Sequence, residues 1–308
     1  MKPKIVVIGS ANVDMIVRTE RIPKMGETVL GGNFIQSQGG KGANQAVAAA
    51  RLGADVTFVA RLGKDHFGQD AIEAYAKEGI TTKHIIQDDE EPTGVALIMI
   101  DAKGEDIICV APGANGKLST EDVLKAEEAI KSANCLLVQL EIPMKTVEFA
   151  IKLASQYHVL VILNPAPMAK LSEELLERVD VLTPNETEAA MLTGNYVSHP
   201  RDLLRKIKMK HGIKNVVITM GNDGAYTSGV HSPHVPAFPV DAVDATGAGD
   251  AFNGGLAVAL ARGDSLESAV RYANAVGALA TTRLGAQSSL PTALDVSTFF
   301  KRNEEKGK

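Results

Sequence analysis

A glycine-rich segment with an aspartate at its end, DATGAGD at residues 244–250, stands before an apolar helical pattern at 251–261. The first backbone N–H groups of a helix have no partner within it, and the helix dipole favours negative charge there. Consecutive N–H groups at Gly247, Ala248 and Gly249 would therefore form an anion hole for a phosphoryl group. Asp250 would either cap the helix or accept a proton from an attacking hydroxyl. The segment predicts phosphoryl transfer with Asp250 as general base.

A second glycine-rich segment, GGKGAN at residues 39–44, directly precedes a helical pattern at 45–52. Glycine lets a backbone approach a ligand closely, although a plain turn would use the same residues. The segment is not a Walker A loop, because position 42 is Gly rather than Ser or Thr. The first strand also continues into SANVD at 10–14 without the G-x-G-x-x-G of dinucleotide-binding folds.

Two further strand ends carry polar residues. TPNETE at 183–188 is typical of an Asn cap with an acidic first turn, but it also places Asn185 and Glu188 on one face, where Glu188 could order water around Mg²⁺. TMGNDG at 219–224 ends the next strand with two glycines, as a turn or a loop at the edge of a nucleotide site would.

The elements that must position these segments alternate along the chain. Short β-branched runs at 4–10, 56–60, 135–140, 159–163, 179–183 and 216–219 predict buried strands, and the amphipathic patterns between them predict helices. This alternation predicts an α/β fold with a doubly wound, mostly parallel sheet flanked by helices. Two stretches without an intervening helix, 15–18 with 27–30 and 94–100 with 106–110, predict a small antiparallel sheet. We interpret it as a lid, residues 13–37 and 92–111, inserted into one domain spanning 1–308.

Composition excludes several classes of protein. The net charge of −5 has the wrong sign for a nucleic-acid-binding protein, and 8 Phe, 5 Tyr and no Trp are too few for a base-stacking surface. Cys109 and Cys135 both lie in apolar runs and are expected to be buried thiols. No signal-peptide pattern or membrane-spanning stretch occurs, so we expect a cytoplasmic protein without membrane partners.

Six segments occur in a characteristic order: GSANVD at 9–14, GGKGAN at 39–44, NPAP at 164–167, TPNETE at 183–188, GAGD at 247–250, and GAQ at 285–287 followed by Pro291. In this combination the sequence resembles the PfkB-type (ribokinase-family) sugar kinases over nearly its whole length. The resemblance implies a ribokinase-like fold and ATP-dependent phosphorylation of D-ribose at its 5-hydroxyl. Other family substrates, namely fructose, adenosine or a sugar phosphate, remain alternatives, as does a catalytically silent sugar-binding regulator.

The resemblance also implies roles for particular residues. Ribose would be surrounded by Asn12, Asp14, Gly40, Lys41, Gly42, Asn44 and Glu141, with Asp250 as base and Ala96 and Ile108 of the lid as an apolar roof. The ATP site would be lined by Asn185, Glu188, Thr219, Gly221, Gly224, Gly249 and Asn274, with Mg²⁺ between the phosphates. K⁺ would lie beside the anion hole on Asp244, Thr246, Ala280, Arg283, Gly285 and Ser289, mostly on backbone carbonyls. Many family members have Thr where this chain has Ala245.

The predicted lid strands are more apolar than a sheet with one solvent-facing side requires. An exposed apolar sheet needs a partner surface, and two-fold pairing closes without leaving a free face. We therefore expect a homodimer formed through the lids.

Overall fold

The computed structural model describes residues 2–194, 199–229 and 233–306. The first residue and the last two of the predicted domain therefore lie outside the described part of the chain. The strands are β1 (Lys4–Ile8), β2 (Asn12–Arg18), β3 (Phe34–Gly39), β4 (Asp55–Gly63), β5 (Thr81–Asp88), β6 (Gly94–Ile100), β7 (Asp106–Ala111), β8 (Cys135–Val138), β9 (Leu160–Leu163), β10 (Val181–Leu182), β11 (Asn215–Thr219), β12 (Ala225–Thr227) and β13 (His234–Val235).

Helices connect most of these strands. They are α1 (Lys41–Arg51), α2 (His66–Lys77), α3 (Thr120–Leu124), α4 (Glu127–Lys131), α5 (Met144–Gln156), α6 (Glu173–Leu176), α7 (Glu186–Thr193), α8 (Pro200–His211), α9 (Ala248–Ala261), α10 (Leu266–Ala280) and α11 (Ala293–Lys306). Short 3₁₀ turns occur at Gly113–Lys117, Gly221–Asp223 and Gln287–Ser289.

The larger sheet has nine strands among the described residues, in the order β13-β12-β11-β10-β9-β8-β1-β4-β5. Neighbours from β11 to β5 run parallel, while β12 and β13 are antiparallel additions at one edge. The side chains of β1 alternate between two apolar layers: Ile5 and Val7 pack on one face, Val6 and Ile8 on the other. Burial on both faces is what the unbroken β-branched runs predict. The doubly wound α/β fold is confirmed.

Helices α1 and α9 pack closely on one face of this sheet. A Cβ added at Gly254 of α9 would lie 2.6 Å from the Cβ of Ala48 and 3.1 Å from the carbonyl oxygen of Gln45. Real atoms do not approach that closely, so Gly254 permits the short separation of the two helices. Both helices begin at glycine-rich segments identified from the sequence, and their packing brings those two starts together.

The lid is a four-stranded sheet in the order β3-β2-β6-β7. The predicted strand at 27–30 is wrong, because β3 begins at Phe34 and pairs Gly39 with Asn12. The prediction of an antiparallel sheet is also wrong for one pair, since β2 and β6 run parallel. The predicted connection at 101–105 does join the antiparallel strands β6 and β7.

The two faces of the lid are both apolar. Ala96, Ile98 and Ile100 face the body of the protein, whereas Leu97, between them, is 55% exposed on the outer face. Leu97 pairs with Met15 on one side and with Cys109 on the other, so these residues share the outer face. Cys109 is consequently exposed, and the expectation that both cysteines are buried is wrong for it.

Among the described helices, none combines the length and the hydropathy required to span a membrane.

Candidate active site

A cavity of about 590 Å³ separates the lid from the carboxyl ends of the parallel strands. This is where open α/β sheets bind ligands, because the loops that follow the strands converge there. Its lining includes most of the predicted sugar-binding residues: Asn12, Asp14, Gly40, Lys41, Asn44, Glu141 and Asp250, with Ala96 and Ile108 from the lid. Ile98, Ile100 and Val110 extend the apolar roof, and their alternation along the strands is the signal in the sequence for this position.

Glu141 and the GGKGAN segment are held together by hydrogen bonds. Ser10 Oγ donates to Glu141 Oε2 at 2.5 Å, and the backbone N–H of Lys41 donates to the same oxygen at 3.1 Å. A Cβ added at Gly42 would lie 2.6 Å from the backbone of Gly9, so Gly42 supports the site from behind instead of lining the cavity. Gly40 has a φ of 88° as the N-cap of α1, a conformation that favours glycine.

Asp14 is a buried carboxylate on the floor of the cavity, 8% exposed. Burial raises its pKa to about 7, helped by repulsion from Glu141 and Asp250, while Lys41 opposes the shift. Lys41 is the one ammonium that these carboxylates share. Burial alone would lower the pKa of Lys41, but attraction to Asp250, Glu141, Glu188 and Asp14 raises it. Lys41 therefore stays charged in a site with excess negative charge.

Asp250 lies where the 590 Å³ cavity, the predicted sugar cavity, meets the start of α9. The pattern at 251–261 predicts that Asp250 precedes the helix, but Asp250 is its third residue, because the helix begins at Ala248 with Gly247 as its N-cap. Its carboxylate does not cap the helix: Oδ2 accepts from Asn44 Nδ2 and Oδ1 accepts from Gln45 Nε2, both at 2.9 Å. Burial raises the pKa of Asp250, whereas Lys41 and these two amides lower it.

The free N–H groups at the start of α9 differ in one donor from the predicted anion hole. Gly247 has a φ of 75°, which turns the chain into the helix. The N–H of Ala248 is not available, because it donates to the carbonyl oxygen of Ala245 at 3.1 Å. Within the described ranges, no acceptor is found for the N–H groups of Gly247, Gly249 or Asp250. The available donors are therefore Gly247, Gly249 and Asp250, with Asp250 in place of the predicted Ala248.

A second cavity, about 140 Å³, lies on the other side of this helix start. Asn185 and Glu188 line it together with Lys41, Gly249 and Asp250. Asn185 Oδ1 accepts from Glu188 N and Glu188 Oε2 accepts from Asn185 N, both at 2.8 Å, so the two residues form a capping box at α7. The predicted cap is confirmed. Burial raises the pKa of Glu188, while the backbone N–H of Asn185 and Lys41 lower it.

A third cavity, about 470 Å³, continues from the second one along β11 and α10. It contains the predicted Thr219, Gly221, Gly224, Gly249 and Asn274. Asn274 is fixed by donating from Nδ2 to the carbonyl oxygens of Val235 and Pro236, at 2.9 and 3.1 Å. The apolar walls at Phe238, Val240 and Phe252 were not singled out from the sequence, where the isolated FPV run at 238–240 is the only signal. A planar base fits such walls.

Asp244 ties together the two loops that carry the predicted cation-binding positions. Its Oδ1 accepts from the N–H and the hydroxyl of Thr246, and its Oδ2 accepts from the N–H of Gly285 at 2.8 Å. Burial opposes the ionised form of Asp244, but these hydrogen bonds outweigh it and lower its pKa. In the described part of the chain, no donor reaches the carbonyl oxygens of Thr246, Ala280, Arg283 or Gly285. Free carbonyls of this kind fit K⁺, a hard cation.

For Mg²⁺ the protein supplies fewer ligands. Across residues 2–194, 199–229 and 233–306, no three His, Cys, Asp or Glu side chains are close enough to hold a metal ion. Mg²⁺ commonly keeps several waters and is held by one or two carboxylates together with substrate phosphates. Glu188, with one oxygen outside the capping box, fits that limited role.

Comparison with known proteins gives consistent results. A family model described as pfkB family carbohydrate kinase matches residues 2–293. The chain is 43% identical to a ribokinase of Haemophilus influenzae over 304 residues, which are 98% of this chain and 99% of that protein. It is 38% identical to a deoxyribokinase of Salmonella typhi over 305 residues, 97% of this chain and 99% of that protein. The structure of Arabidopsis thaliana ribokinase complexed with ribose and ATP superposes with a TM-score of 0.88 at 35% identity, covering 97% of this chain and 98% of that one.

Proposed function

Because the chain belongs to the pfkB family of carbohydrate kinases, we propose that it transfers the γ-phosphoryl group of ATP to the 5-hydroxyl of D-ribose, giving ADP and D-ribose 5-phosphate. The observation that carries this proposal is the position of Asp250. It lies at the meeting point of a cavity with a polar floor and an apolar roof and a second cavity that ends on free helix N–H groups. A hydroxyl held in the first cavity can attack a phosphoryl group held in the second.

The charges of the first cavity favour a neutral polyol. Asp14, Glu141 and Asp250 share the single ammonium of Lys41. Carboxylates accept hydrogen bonds from sugar hydroxyls, whereas a sugar phosphate would be repelled by the excess negative charge. Arg18 lies at the exposed mouth of the cavity and is the one further cation in its lining. A phosphorylated acceptor is therefore disfavoured, and among the neutral acceptors we propose ribose because ribokinases are among the most similar relatives.

In the proposed mechanism Asp250 takes the proton of the 5-hydroxyl as that oxygen attacks the γ-phosphorus in line. The phosphoryl transition state is loose, so deprotonation is late and a carboxylate suffices as base. The N–H groups of Gly249 and Asp250 and the dipole of α9 stabilise the charge on the transferring group. Lys41 lines both the sugar cavity and the second cavity of about 140 Å³, which we call the phosphate cavity. Its ammonium can therefore stay beside the phosphoryl group during the transfer.

Two metal ions belong to the proposal. Mg²⁺ held by the nucleotide phosphates, with Glu188 ordering its water, would neutralise phosphate charge. K⁺ on the carbonyl oxygens around Asp244, with Ser289 nearby, would order the loop that leads into α9. The chain's own part in both cases is to hold these groups: Asp244 joins residues 243–246 to Gly285, and the capping box fixes Glu188.

We also propose a homodimer formed by the outer faces of two lids. On that face Leu97 is 55%, Phe34 60% and Ile107 45% exposed, which is unusual for one side of a small sheet. A charge at Ile100 would not test this interface, because Ile100 lines the cavity on the opposite face of the lid. Since the reaction draws on ATP, we place the enzyme in the cytoplasm. We also propose that the lid spans residues 13–37 and 92–111.

The function is tested by a panel of acceptors in a coupled assay for ADP: D-ribose, 2-deoxy-D-ribose, D-fructose, adenosine and a sugar phosphate. We expect the highest kcat/KM with D-ribose, and ³¹P NMR should identify the product as the 5-phosphate. A higher kcat/KM for another acceptor would replace ribose as the substrate. ADP formation that no acceptor stimulates would contradict kinase activity toward sugars altogether.

A further inference from the structure

We infer that Gln45 is a positioning residue for the reaction: together with Gln139 it forms a buried amide chain that holds the carboxylate of Asp250 ionised and correctly oriented. The inference rests on the proposed function only in taking Asp250 as the base. It assigns a role to two residues that no motif indicates. Neither Gln45 nor Gln139 lines the sugar cavity or the phosphate cavity.

The chain of contacts runs away from the substrates into the core. Gln45 Nε2 donates to Asp250 Oδ1 at 2.9 Å and to Asn164 Oδ1 at 3.1 Å. Gln139 Nε2 donates to Gln45 Oε1 at 2.5 Å. Gln45 and Gln139 are both fully buried. Each link joins distant parts of the sequence, so the chain connects α1, the end of β8 and α9.

The direction of the two amides follows from the chemistry of the carboxylate. An ionised carboxylate only accepts hydrogen bonds, so Gln45 must turn its NH₂ group toward Asp250. Its carbonyl oxygen then faces Gln139, which must in turn present its own NH₂ group. Gln139 Oε1 is left buried without a partner among the described residues, and a Cβ at Gly9 would overlap it. An unpaired buried acceptor is destabilising, which argues that the arrangement serves Asp250 and not stability.

The orientation of these amides makes the buried amide chain of Gln45 and Gln139 sensitive to the protonation of Asp250. Asn44 presents NH₂ to Oδ2 and Gln45 presents NH₂ to Oδ1, so a proton on either oxygen would face a donor. The two amides thus favour the ionised form that burial opposes. Other charges also face this carboxylate: Lys41 stabilises the ionised form, whereas Glu141, Asp14 and Glu188 disfavour it. Removing the Gln45 amide therefore favours the protonated form of Asp250.

The test uses Gln45→Met, Gln139→Met and the double variant, because Met keeps the length and helix propensity of Gln without its amide. We expect Gln45→Met to lower kcat by about tenfold or more with little change in the KM for sugar, since a hydrogen bond to a charged group and the orientation of the base are lost. The acidic limb of the kcat–pH profile should move to higher pH by about one unit.

A double-mutant cycle separates positioning from general damage. Gln139 touches Asp250 only through Gln45, so we expect Gln139→Met to give a smaller loss in the same direction and the double variant to be no worse than Gln45→Met alone. Thr146→Val is the matched control, because it removes a buried hydrogen bond, from Thr146 Oγ1 to the carbonyl oxygen of Leu118, that is remote from the site. The control should lower Tm without moving the pH profile.

The outcomes are distinct from those for the proposed function. The cycle is measured on whichever acceptor the wild type phosphorylates, so it does not require that the acceptor be ribose. An unshifted pH limb in Gln45→Met, or additive losses in the double variant, would overturn the inference. A wild type that phosphorylates no acceptor would instead contradict the proposed function.

Discussion

Asn44 and Asp250 lie 206 positions apart in the sequence and are joined by a hydrogen bond of 2.9 Å between Asn44 Nδ2 and Asp250 Oδ2. The bond links the start of α1 to the start of α9, so Asn44, proposed to bind the sugar, and Asp250, the proposed base, are held in a fixed relation to each other. Rigid support of this kind keeps reacting groups in the geometry that speeds transfer.

Asp250→Asn removes the base while keeping its shape. We expect turnover to fall at least ~10²-fold, the contribution of a general base, with sugar affinity unchanged. Steady-state kinetics gives kcat, and calorimetry gives the affinity for ribose. Tm serves as the control for folding. Turnover within threefold of the wild type at unchanged ribose affinity would show that Asp250 is not the base.

Gly249→Ala separates stability from activity. A Cβ at Gly249 meets no atom within 4 Å, so the protein itself has room for it. Alanine in a helix is more favourable than glycine by up to ~1 kcal/mol, so we expect Tm to stay constant or rise. The methyl group would occupy the space over the helix start where the phosphoryl group is expected, and kcat/KM for ATP should fall at least about tenfold. An active variant would place the phosphoryl group elsewhere.

Sugar binding should depend on pH through Asp14. Its pKa is raised to about 7 in the free site, and hydroxyl groups of the sugar need the ionised form as acceptor. Below that pH the proton must leave on binding, so Kd should rise by up to ~10-fold per pH unit. Calorimetry at pH 7 in buffers of different ionisation enthalpy should detect release of roughly half a proton per site. Proton uptake on binding would contradict the assignment.

Asp14 should affect stability in the opposite direction: a rise in pH favours sugar binding but lowers the free energy of unfolding. Its pKa is higher in the folded protein than the usual 3.8, so the folded state binds more protons and loses stability as pH rises between these values. Asp14→Asn should therefore raise Tm at pH 8, by at least about 2 °C, while abolishing ribose binding. A lower Tm at pH 8 would contradict the raised pKa.

K⁺ should increase turnover by several-fold over choline at equal ionic strength. The reason is that a cation on the free carbonyl oxygens near Asp244 orders residues 244–247, which lead into the anion hole. Rates are measured after exhaustive desalting, with Na⁺ as a second comparison. Equal rates in K⁺ and choline would show that these carbonyls do not hold an activating ion.

Leu97→Asp should produce monomers by placing a charge on the outer face of the lid. The matched control is Leu294→Asp, which changes a side chain 74% exposed on α11, away from the lid. Light scattering at micromolar protein gives the mass. A wild type that stays a monomer of 32.5 kDa with full ribose turnover would exclude the dimer.

The sequence predicted the body of the protein well because its signals are local. Buried parallel strands are continuous apolar runs, and a glycine-rich helix start is visible within seven residues. The lid was less predictable: β3 is the polar FIQSQG segment, selected by pairing with β2 over the more apolar stretch before it. Its parallel partner β6 is far along the chain. The role of Gln45 and Gln139 cannot be predicted from the sequence, because an amide in a helix or at a strand end has no local pattern that indicates its partner.

Gly254 and Ala48 line neither the 590 Å³ cavity nor the 140 Å³ cavity, yet both lie on the helices that carry Asn44 and Asp250. The two helices cross at this point, and their separation there sets the distance between their first turns. The width of the proposed sugar cavity therefore depends on a steric contact in the core, and not on the long stretch of chain between the two glycine-rich segments. We expect a larger side chain at residue 254 to push the two helices apart, and with them Asn44 and Asp250 at their first turns.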